Sequence, residues 1–69
     1  MLLTYIKENF TISLEAFRII DNLIDYTKLQ PEYRDDEGNL TDEGIDFLWY
    51  MLDAIGMDRD EIADHWKED

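Results

Sequence analysis

The chain has 69 residues, no Cys, 45% hydrophobic residues and a formal net charge of −12. Disulfides and thiolate metal sites are therefore excluded, and the apolar content is too high for the disordered class. Fourteen acids against three bases in residues 31–69 carry almost all of the negative charge, whereas residues 1–30 are nearly neutral, with Glu8, Glu15, Asp21 and Asp25 against Lys7, Arg18 and Lys28.

In chain order, Leu2, Leu3, Ile6 and Phe10 recur at helical spacing, but Leu3-Thr4-Tyr5-Ile6 also suits a strand, so residues 2–9 stay open between the two. Ser13 is a good N-cap, and the pattern predicts a helix from about Leu14 to Leu29. Phe17, Ile20, Leu23, Ile24 and Thr27 lie on one side of it, and Glu15, Arg18, Asn22 and Asp25 on the other. Pro31 ends it. The segment from Gln30 to Leu40, with its Glu37-Gly38-Asn39 turn signal, reads as an ordered connection with one small turn or hairpin.

A third helix is predicted from Asp42, capped by Thr41, to Ile55, with Gly56 in the left-handed conformation that closes it. A fourth spans about Arg59 to Lys67, capped by Asp58 with Glu61 at the capping-box position. Apolar residues flank all three caps as staples: Ile12 with Phe17, Leu40 with Ile45, and Met57 with Ile62. The fold class is thus all-α, a compact bundle of three to four short helices in one small acidic domain over residues 1–69.

The third helix is over-supplied with apolar surface. Ile45, Leu48, Trp49, Leu52 and Ile55 form a core stripe, Phe47, Met51 and Ala54 a neighbouring sector, and only Asp46, Tyr50 and Asp53 a polar strip. It is either the central helix or a helix whose second face meets another molecule, and Phe47, Met51, Ala54 and the adjoining Tyr50 are the candidate interface.

No constellation points to catalysis. The single His65 and single Ser13 supply no nucleophile set, and the acids fall on helix starts and polar strips rather than in a cleft. Glu61 and His65 are spaced i, i+4, but two ligands on one exposed turn make no metal site. A calcium loop with Gly38 in the glycine position would begin on Tyr33 and end on Gly44, where Asp and Glu are needed. No cofactor is implied.

The Gly-containing turn leading into Leu40-Thr41-Asp42-Glu43-Gly44 resembles the helix start after the wing of winged-helix proteins. No basic recognition helix accompanies it, and a domain at −12 does not neutralise phosphates, so neither a family nor direct nucleic-acid binding is assigned. The N-terminus lacks a secretory signal and no run approaches a membrane span, so a cytoplasmic protein is expected.

Two function classes follow. The first is a non-enzymatic protein-interaction or regulatory module, self-associating through residues 42–55, with a basic partner if the acidic face is used. The second is a nucleic-acid mimic whose acidic surface, including Asp35, Asp36, Asp42, Asp46 and Asp53, would occupy the basic groove of a DNA- or RNA-binding protein, as inhibitors from mobile elements do.

Overall fold

The computed structural model describes residues 2–66 as four helices: α1 (Leu2–Asn9), α2 (Leu14–Leu29), α3 (Asp42–Leu52) and α4 (Arg59–Trp66). Short 3-10 turns at Pro31–Tyr33 and Asp53–Ile55 complete it, with no strand among the described residues. The all-α fold class holds. The expected end of the fourth helix at Lys67 lies outside the described residues.

Residues 2–9 resolve as helix because Leu2 and Ile6, one turn apart, both bury completely where α1 packs on α2 and α4. Ser13 caps α2, its Oγ accepting from the Ala16 N–H at 3.1 Å. Gln30 ends α2 in an extended conformation, as the residue before a proline must, and Pro31 then opens the 3-10 turn.

Between α2 and α3 the chain makes a minimal hairpin. Arg34 and Leu40 form a single antiparallel bridge, flanked by Asp35 N–H to Asn39 O at 2.8 Å and Thr41 N–H to Tyr33 O at 3.1 Å. Asp35 Oδ1 accepts from the Glu37 and Asn39 N–H groups, both at 2.9 Å, and Gly38 takes φ +83° at the tip. Thr41 then works in two directions: its Oγ1 accepts from Gly44 N–H at 3.2 Å and donates to Glu32 O at 3.0 Å, so one side chain caps α3 and ties it to the preceding 3-10 turn.

The predicted third helix tightens at Asp53 into a 3-10 turn before Gly56 closes it at φ +85°. Asp58 caps α4 as expected, but the capping box with Glu61 does not form. Asp58 Oδ1 accepts from Asp60 N–H at 3.2 Å, but the Glu61 carboxylate turns away to accept from the Tyr5 hydroxyl of α1. Completing the box would serve one exposed N–H, whereas the Tyr5 contact joins the first helix to the last.

The core takes residues from every helix: Leu2 and Ile6, Ile20 and Ile24, Leu48 and Leu52, and Ile62 and Trp66, closed by Leu40 and Met57 from the connections. Thr27, the one buried polar residue among the described residues, satisfies its hydroxyl on Leu23 O at 2.8 Å. Trp66 reaches from the end of α4 to the hairpin, its indole N–H donating to Gly38 O at 3.2 Å, while the Lys28 ammonium lies 5.6 Å from its ring centroid.

Candidate functional site

The two side chains weighed for chemistry are occupied structurally. Ser13 is a helix cap, and the His65 ring stacks on Tyr5 at 4.0 Å between centroids. The Tyr5 phenol is raised above its ordinary pKa by its bond to Glu61, by burial and by the carboxylate's charge. Among the described residues no group of three or more His, Asp and Glu side chains is placed to hold a metal ion.

The most distinctive surface lies on α3. Leu48 and Leu52 face the core, 0% and 1% exposed, while Tyr50 and Met51 are 79% and 51% exposed on the same helix. Phe47 is half-buried rather than free: its ring stacks on Tyr33 at 4.9 Å and meets Tyr26 of α2 at 6.0 Å. Tyr33, Phe47, Tyr50 and Met51 form the floor of an open groove whose remaining walls are Glu43 and Asp46. Ala54 is exposed but sits on the 3-10 turn beyond α3 and does not line this groove.

Tyr26 and Tyr33 were not singled out from the sequence. Tyr26 lies off the predicted core side of α2, and Tyr33 follows a proline in a connection. Only the packing of α2 and the 3-10 turn against α3 brings both beside Phe47.

All five candidate acids are exposed. Asp35 and Asp36 sit on the hairpin, where one oxygen of Asp35 holds the turn. Asp42, Asp46 and Asp53 are spaced i, i+4 and i+11, which at about 100° per residue aligns them in one stripe beside Tyr50 and Phe47. Asp46 also pairs with Arg59 Nη2 of α4 at 2.9 Å.

A second apolar depression, between the end of α1 and the start of α2, is lined by Lys7, Phe10, Ile12, Leu14 and Phe17. It includes Ile12 and Phe17, the pair predicted as the first staple. No helix among the described residues is long and apolar enough to cross a membrane. Comparisons with protein-family models, with curated proteins and with solved structures give no match for this chain.

Proposed function

We propose that this protein is a non-enzymatic interaction module of the cytoplasm whose working surface is the aromatic face of α3, and that copies of the chain associate through that face. The observation that carries this reading is the exposure of Tyr50 and Met51 on a helix whose opposite side is fully buried. An apolar surface that continues through Phe47 onto Tyr33 and Tyr26 gains by being covered. Light scattering after size-exclusion chromatography tests it: at micromolar concentration the mass exceeds the 8.3 kDa of one chain. Met51→Glu returns a folded monomer, because Met51 contributes little to the core. A wild-type protein that remains monomeric when concentrated refutes self-association.

The second reading is nucleic-acid mimicry, favoured by the exposure of Asp35, Asp36, Asp42, Asp46 and Asp53 on ordered elements. In that case the partner is a basic nucleic-acid-binding protein that DNA or RNA displaces. Changing Asp35, Asp36 and Asp42 to Asn weakens capture stepwise, while Tyr50→Ala leaves it unaltered.

A further inference from the structure

We propose that the α3 groove accepts a basic amphipathic segment of another protein, with its apolar side chains on Tyr33, Phe47, Tyr50 and Met51 and its Lys or Arg side chains over the Asp42, Asp46 and Asp53 stripe. This rests on the reading that the α3 face is the working surface, and it names an occupant beyond a second copy, one whose charge complements the rim. The floor suits apolar anchors: Met51 is unbranched and adapts to a partner's shape, and Tyr50 offers a large ring with a polar tip.

The rim is what selects the sign of the partner. Glu43 and Asp46 wall the groove, the acidic stripe runs alongside, and residues 31–69 carry fourteen acids against three bases. Arg59, the cation placed at this edge, is engaged with Asp46 at 2.9 Å. A second copy on the same face gains from the apolar floor alone, with its carboxylates left unpaired at the rim, and nucleic acid or an anionic membrane would be repelled outright. A basic segment turns the same charges into attraction. The depression at Phe10, Ile12 and Phe17 lacks this complement, since it lies in the nearly neutral half and carries Lys7 on its wall.

The two occupants therefore respond to salt in opposite ways. Screening relieves repulsion between two copies and weakens attraction for a basic segment as the Debye length shrinks from about 10 Å at 0.1 M to about 3 Å at 1 M. The probes are two labelled synthetic peptides of equal charge and about 18 residues, roughly five helical turns. One has Leu and Lys at helical spacing, and in the other Ser replaces Leu. Both are titrated into the full chain by fluorescence anisotropy at low and high salt, with light scattering on the chain alone and with peptide.

The Leu/Lys peptide is expected to bind about tenfold more tightly than the Ser/Lys peptide and to weaken about tenfold at high salt. The double variant Tyr50→Ala/Met51→Ala, folded by circular dichroism, loses about tenfold for the Leu/Lys peptide only. The triple variant Asp42→Asn/Glu43→Gln/Asp53→Asn, which leaves the Asp46 pair with Arg59 in place, flattens the salt dependence. Equal binding of the two peptides, or an unchanged affinity in the double variant, overturns the proposal. A chain that self-associates but ignores the Leu/Lys peptide overturns this inference and leaves self-association standing. A monomeric chain that binds the peptide through Tyr50 and Met51 does the reverse.

Discussion

Gly44→Ala tests whether the junction of hairpin and α3 is as tight as the structure indicates. Gly44 is buried in the first turn of α3, and a Cβ there would lie 2.5 Å from the Tyr33 carbonyl oxygen, 3.0 Å from Leu40 Cδ2 and 3.1 Å from Tyr33 Cβ. Leu40 can turn aside, but a backbone carbonyl cannot. Reaching an ordinary contact of 3.4 Å requires the 3-10 turn and α3 to separate by about 0.9 Å. That movement would carry the bonds from Thr41 N–H to Tyr33 O, at 3.1 Å, and from Thr41 Oγ1 to Glu32 O, at 3.0 Å, out of range.

Overpacking costs about 1–3 kcal/mol and each lost bond about 1 kcal/mol, offset by the roughly 0.8–1 kcal/mol that Ala gains over Gly in a helix. With two bonds lost, the net loss is about 3 kcal/mol, most of the roughly 3–5 kcal/mol available to a core of this size. Urea titration followed by helical circular dichroism reads it as a lower midpoint at an unchanged slope, and heating as a fall in Tm of about 12–24 °C. Gly38→Ala is the control: it has open space around the added methyl but sits at φ +83°, so its cost of about 1 kcal/mol is conformational and disappears in Gly38→Asn. A Gly44→Ala protein as stable as wild type would refute the tight junction.

Thr41→Ala removes both the α3 cap and the tie to Glu32, so in urea titrations it costs about 1–2 kcal/mol, more than Ser13→Ala, which removes a cap alone. The Tyr5 phenol, raised by Glu61, stabilises the fold as its neutral form, so that contribution is complete below the ordinary tyrosine pKa and is lost as pH rises through the higher folded value. Ultraviolet titration should show a tyrosine step displaced above the ordinary phenol range, and that late step should vanish in Tyr5→Phe. Trp66→Phe keeps the apolar contact but strands the Gly38 carbonyl, and amide hydrogen exchange should report faster opening at Asp35 and Asn39, whose N–H groups hold the hairpin turn.

Local chemistry sufficed for the starts of α2, α3 and α4, for the end of α2 and for the glycine turn that follows α3. Ser13 and Thr41 cap where their side chains reach an N–H three residues on, Pro31 forces Gln30 extended, and Gly56 adopts the left-handed turn, because each device depends on atoms within one helical turn of the chain. The all-α class follows from those devices and from the helical spacing of Ile20, Ile24, Leu48 and Leu52. Residues 2–9 were undecided because both periods fit so short an apolar run. Burial of Leu2 and Ile6 against α2 and α4 decided for helix. Glu61 had a local partner at Asp58 and a distant one at Tyr5, and the distant one prevailed. Periodicity likewise gave α3 two apolar sectors but not the state of each. Tyr50 and Met51 stay outside and Phe47 goes half inside because Tyr33, 14 residues away, arrives to stack on Phe47 and Tyr26, 21 residues away, meets it at a tilt. Such contacts depend on how helices pack, and packing maximises buried area over the whole chain rather than over any window of sequence.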